Sequence, residues 1–185
     1  MNDVLSLLHT RNSAPKLTGT GPGDAELEQM LLAALRAPDH ARLRPWRFLT
    51  VRDQRREDLG KLFLKSLLKR NPVADEAARA KALAAPLRAP LVLVVICRLS
   101  EHPKVPHVEQ RLSAGCAAHG VLLAAEALGY AGIWRTGDVA FERCFMDDLG
   151  LAKNEEIVGF LYLGTRDGPP KPLPDLDIAD YASDW

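Results

Sequence analysis

Cysteine is scarce in this 185-residue chain: Cys97, Cys116 and Cys144 are the three present. An odd number at wide spacing argues against a disulfide framework and fits a reducing compartment. Net charge is lacking too, because 24 lysines and arginines face 24 aspartates and glutamates. A neutral chain has no overall field to draw it to nucleic acid or acidic lipid. No stretch approaches the ~18 uninterrupted apolar residues of a membrane span, and Pro90 to Cys97 has only the length of a buried strand. The apolar run near Val4 to Leu8 is too short for a signal peptide and follows no basic segment, so the cytoplasm is the expected location. Cys116-Ala117-Ala118-His119 lacks the matching second pair that a zinc site needs. It reads as a buried thiol beside a packed histidine, and no metal is expected.

With 47% hydrophobic residues the chain can bury one sizeable core, so residues 1–185 are expected to form a single domain. Val4, Leu5 and Leu8 share a face of a short helix over Asp3 to Thr10, with Asn2 or Asp3 as its cap. Residues 12–23 form a connector, in which Gly19-Thr20-Gly21-Pro22-Gly23 is a turn lacking the Lys-Ser/Thr of a phosphate loop. Asp24 opens a second helix that Pro38 stops near Ala37. Trp46 to Val51 and Pro90 to Cys97 read as strands, the second buried on both faces. Between them, Asp53 to Arg70 and Val73 to Arg88 carry charged helical patterns of an outer layer.

Glu109 to Leu128 is a helix rich in Ala, Gly and Ser, ended by Gly129. Its small side chains allow another backbone or a ligand to come close. Ala131 to Thr136 is a short strand, Phe141 to Leu149 a helix closed by Gly150, and Ile157 to Leu163 a strand closed by Gly164. The proline-rich tail, Thr165 to Trp185, cannot build a core alone, but its Tyr181 and Trp185 suit docking on a neighbour. Pattern alone indicates an α+β or α/β sandwich.

Three segments carry the chemistry: Arg11-Asn12-Ser13, Arg36-Ala37-Pro38-Asp39-His40 leading to Pro45-Trp46, and Gly132-Ile133-Trp134-Arg135-Thr136-Gly137. Taken singly, each has a plain structural role: Arg11 and Arg36 at helix ends, His40 bonded to a carbonyl, Trp134 in the core, Arg135 in an ion pair. In this order and spacing they resemble the nitroreductase family, in particular its compact YdjA-like NAD(P)H nitroreductases. The likeness extends to Ser113-Ala114-Gly115-Cys116 and to Ile157 through Gly164.

The resemblance implies a nitroreductase-like α+β fold, a mixed β-sheet flanked by helices, with the C-terminal tail wrapping a partner subunit. It implies FMN as cofactor and NAD(P)H as co-substrate, in a homodimer whose flavin sites lie at the interface. Arg11, Asn12 and Ser13 are then assigned to the phosphate, for which a guanidinium fork and a hydroxyl are suited donors. Asn12 stands where close relatives are often basic, which shifts weight to Arg11 and to a tail cation, Lys171 or Arg166. Arg36 and His40, one from each subunit, are assigned to the pyrimidine edge that turns negative on reduction, and Trp134, Arg135 and Thr136 to the surroundings of N5. The implied reaction is ping-pong transfer from a nicotinamide to a nitroaromatic or quinone, with chemistry at the flavin and no catalytic side chain. A flavin-binding storage or sensor module is the alternative.

Overall fold

The apolar run beginning at Pro90 becomes β3 (Leu91–Arg98), whose residues Leu91 to Cys97 are all buried, as a strand covered on both faces must be. The computed structural model describes residues 3–185, so Asn2, one of the two candidate caps, lies outside the described residues. Beside β3 lie β2 (Trp46–Arg52) and β5 (Glu155–Arg166), and β4 (Ala131–Arg135) pairs with the opposite edge of β5. A two-residue strand, β1 (Leu17–Thr18), joins the far end of β5 from within the connector, where no periodicity marks it. The expected mixed sheet takes the form of alternating directions, with every registered pair antiparallel. β3 and β4 run the same way, but β5 lies between them.

Helices cover both faces. α2 (Asp24–Ala34) and α5 (His107–Ala127) pack through Leu27, Met30, Val121 and Leu122 on Leu91, Leu93 and Leu161. α3 (Gln54–Arg70) and α6 (Arg143–Asp148) cover the other face through Leu59 and Phe145, while α4 (Glu76–Ala84) lies outside with no buried residue. Phe63, Phe145 and Phe160 meet edge to face at centroid separations of 5.4 to 6.2 Å, a favourable arrangement for aromatic quadrupoles.

The small residues of α5 do what their size permits. At Gly120 a Cβ would stand 3.4 Å from the backbone of Ala33 and Ala34, so α2 and α5 approach backbone to backbone. The outer face of α5 differs from expectation: Cys116 and His119 are exposed, with Leu112 at 65%, because no element among the described residues covers them. α1 (Asp3–Thr10) likewise buries none of its residues, and residues 167–185 are exposed throughout. Gly164, expected to close the last strand, lies inside it because β5 runs on to Arg166 against β1, and a Cβ at Gly164 would sit 2.7 Å from the Pro90 ring.

Glu155, 3% exposed at the start of β5, anchors one end of the sheet. Arg47 grips it through two bonds of 2.7 Å, Ala152 donates its N–H at 3.0 Å, and Arg98 reaches it at 3.3 Å. Arg47 foremost, with Ala152 and Arg98, holds the carboxyl at about 2 against the opposing cost of burial. A depressed acid adds stability that is complete above its ordinary 4.5 and is lost as pH falls toward 2. Glu155→Gln is therefore expected to cost about 3 kcal/mol at pH 7, a difference that shrinks as pH falls through this window. Urea unfolding of both proteins at pH 7 and pH 2.5 checks it.

Candidate functional site

β4 organises the residues that the sequence singles out. Its two-residue period sends Ile133 and Arg135 to the face of Tyr162, and Gly132 and Trp134 to the face of α5. Arg135 lies over the Tyr162 ring at 5.8 Å, within cation–π range, and its Nε is buried without a hydrogen-bond partner among the described residues. On the other face the Trp134 indole crosses Gly159, where any Cβ would clash with the indole Nε1. A bulge helps to seat it: Val158 is the extra residue opposite the Val95–Ile96 step of β3, and its carbonyl accepts the indole N–H at 3.3 Å. Trp134 and Arg135 thus face opposite sides of the sheet. A flat ligand meets both only at the strand exit, where Thr136 is exposed and Gly137 turns the chain at φ 75°.

At the other end of β4, the Ala14 N–H donates to the Gly132 carbonyl at 3.1 Å and holds the preceding residues beside the strand. Arg11 and Ser13 are half-buried there, and neither side chain has a hydrogen-bond partner among the described residues. Asn12 is engaged: Arg166 donates to its side-chain oxygen at 3.0 Å and to its carbonyl at 3.1 Å. Of the two tail cations considered, Arg166 is the one the fold brings here, whereas Lys171 contributes its carbonyl, which accepts from the Asn12 amide at 3.4 Å. Roughly 10 Å of extended backbone separates this cluster from Arg135.

Arg36 and His40 follow the end of α2, which stops at Ala34, earlier than Pro38 alone predicts. Arg36 and Ala37 then donate to the carbonyls of Ala33 and Ala34 in a tighter turn. His40 opens a short 3₁₀ turn (His40–Arg42), and its Nδ1 lies 2.7 Å from Glu109 on α5. Arg36 has no side-chain partner among the described residues. With Gly115, Cys116, Gly120 and Trp134 it lines an open groove of about 700 Å³ along α5. One chain therefore distributes the predicted residues over three places: Arg11 to Ser13 with Arg166 at the start of β4, Arg36 with Trp134 in the groove, and Arg135 with Thr136 at the exit of β4. His40 stands apart, on Glu109.

A separate cavity of about 560 Å³ is lined by Cys97, Arg111, Phe141, Arg143 and Glu156. Arg111 and Glu156 satisfy each other through bonds of 2.7 and 2.9 Å, and burial pushes the Cys97 thiol up to about 11, so it carries no reactive thiolate at neutral pH.

The pattern of the family described as "Nitroreductase family" matches residues 8–165, which include all three segments. The chain belongs to the nitroreductase family. Its relatives include YdjA of Escherichia coli, provisionally named an NAD(P)H nitroreductase, 39% identical over 166 residues and 88% of each chain. A Haemophilus influenzae protein similarly named is 34% identical over 164 residues, again 88% of each. Solved structures share the nitroreductase fold: a nitroreductase-like protein of Bacillus cereus superposes with a TM-score of 0.84 at 22% identity, covering 100% of this chain and 97% of its own. A Desulfovibrio desulfuricans nitroreductase-fold protein in complex with FMN does so at 0.77 and 21%, covering 100% and 98%.

Gly159 and Val158 lie in the segment that carries the family likeness, but their role in seating Trp134 depends on strands distant in sequence. Gly159→Ala is expected to push the Trp134 indole off the sheet, at a cost of about 1–3 kcal/mol for overpacking. Tryptophan emission should shift to the red, and the shift should vanish in a Trp134→Phe background.

Proposed function

We propose that this nitroreductase-family protein is an FMN-dependent oxidoreductase, a single domain over residues 1–185 that works in the cytoplasm as a homodimer. The observation that carries this reading is the pair Arg11 and Ser13, held beside β4 with their side chains unpartnered while their neighbour Asn12 is fixed by Arg166. A guanidinium and a hydroxyl left free in a half-buried position fit a phosphate dianion, which recovers in charge-assisted bonds what their seclusion forfeits. Arg166, 17% exposed, stands beside them, its charge shared with Glu126 at 3.4 Å. The relatives provisionally named NAD(P)H nitroreductases, and the D. desulfuricans fold neighbour that holds FMN, support the same cofactor and a nicotinamide co-substrate.

Arg11 and Ser13 would hold the FMN phosphate, and the bound flavin would supply two-electron transfer from NAD(P)H to a nitroaromatic or quinone in two alternating half-reactions. The chain's own residues position and tune it. Arg135, whose Nε lacks a partner, and Thr136 at the strand exit border the ring, while Trp134 walls the groove. Arg36 and His40, one from each subunit, stabilise the negative charge of the reduced pyrimidine edge. The uncovered outer face of α5, the uncovered α1 and the exposed tail with Tyr181 and Trp185 supply the surface that two copies bury against each other, the tail wrapping its neighbour.

Arg11→Ala removes the bidentate contact and is expected to weaken FMN binding ten- to a hundred-fold, about 1.5–3 kcal/mol. Fluorescence titration measures it, and unchanged affinity removes Arg11 from the site. FMN-loaded protein is further expected to oxidise NAD(P)H with menadione or a nitroaromatic as acceptor. Binding without turnover would favour the storage module. Sedimentation should return twice the chain mass; a monomer carrying one FMN per chain contradicts shared sites.

A further inference from the structure

The segment between His40 and Pro45 carries two arginines, Arg42 and Arg44, that the flavin assignment does not use. Ala41, Arg42 and Arg44 all adopt positive φ, at 59°, 55° and 51°, although none is glycine. Such conformations cost of order 1 kcal/mol or more each and persist where the surroundings impose them. The result is a pocket of about 610 Å³ beyond the end of α2, lined by Arg36, Arg42 and Arg44 together with Leu35, Asp39 and Trp46. Its single carboxylate, Asp39, accepts the Arg44 backbone N–H at 2.7 Å. None of the three guanidinium groups has a hydrogen-bond or ion-pair partner among the described residues, whereas Arg47, Arg52, Arg70, Arg98, Arg111 and Arg143 each hold a carboxylate.

Three positive groups against one negative, in a chain of zero net charge, form a local anion trap. The trap opens onto the groove described above, because Arg36 and Ala37 line both. Leu35 and the Trp46 ring give the trap apolar walls, the surface a purine base requires.

We propose that Arg42 and Arg44 bind the 2′-phosphate of NADPH and so make this chain select NADPH over NADH. The inference rests on the reading of the protein as a nicotinamide-dependent flavoenzyme. The phosphomonoester is the one group that distinguishes the two co-substrates, it is dianionic at neutral pH, and arginine forks match its oxygens. Arg36, already assigned to the flavin, marks where the nicotinamide half and the phosphate half of one dinucleotide meet.

The test pairs Arg42→Asn/Arg44→Asn with Arg42→Lys/Arg44→Lys; asparagine tolerates positive φ, so the first removes charge without opposing the backbone. Wild type should show kcat/KM for NADPH at least tenfold above that for NADH. The asparagine variant should lose most of that preference through a higher KM for NADPH, with NADH kinetics and FMN affinity unchanged, and the lysine variant should keep part of it. Calorimetry without turnover gives a second readout: adenosine 2′,5′-bisphosphate should bind wild type at least tenfold more tightly than 5′-AMP, and equally weakly in the asparagine variant. Equal use of NADH and NADPH by wild type overturns the proposal. So does an asparagine variant impaired equally with both, which would place the pyrophosphate in the pocket, or one that loses FMN. Protein that binds no FMN yet discriminates the two adenosine phosphates would sink the oxidoreductase reading and leave this pocket's assignment standing.

Discussion

The pairing of β4 with β5 is the contact on which the site depends. Five residues of β4 register against Phe160 to Gly164, and from that ladder three consequences follow. Arg135 comes to rest over Tyr162, Trp134 crosses Gly159, and the free edge at Gly132 accepts the Ala14 N–H that draws Arg11 and Ser13 alongside. The same strand β5 continues to Arg166, which reaches back to Asn12. Residues from positions 11 and 166 thereby meet at one end of β4 and Arg135 stands at the other, although each segment alone carries little information.

What makes the ladder tight is the removal of side chains where backbones meet. A Cβ at Gly132 would lie 2.7 Å from Leu122 and 2.9 Å from Leu163, and one at Gly164 would press on Pro90. The bulge at Val158 adds a local twist and frees a carbonyl for the indole of Trp134. Packing and polar satisfaction therefore act on the same few residues of β5. Far from that region, Glu155 and its arginines fix the other end of the strand.

The sequence made several elements legible because a single physical signal controlled each. The helical spacing of Val4, Leu5 and Leu8 marked α1, which runs from Asp3 to Thr10 as expected. The unbroken apolar run marked β3, and Gly129 marked the end of α5, where it adopts φ 81°. Elements without such a signal were missed. β1 is two residues long, and the positive φ values of Ala41, Arg42 and Arg44 occur at residue types that seldom adopt them. Cys116 and His119 look interior in sequence because free cysteine is among the most buried residue types, yet no described element covers the face they occupy. The division of Trp134 and Arg135 between opposite faces follows from strand periodicity, but only when the strand, and not its motif, is the unit of thought. The family was legible from three spaced segments; the engagement of Asn12 by Arg166, 154 positions apart, was not, since it depends on β5 carrying the tail back to the N-terminal segment.

A crystal structure of the protein grown with FMN tests the central claim most directly. The account predicts phosphate oxygens within about 3 Å of the Arg11 guanidinium and the Ser13 hydroxyl, a charge-assisted geometry, with the isoalloxazine at the exit of β4 near Arg135 and Thr136. Electron density for the phosphate elsewhere on the molecule, with Arg11 turned to solvent and Ser13 bonded within its own chain, contradicts it.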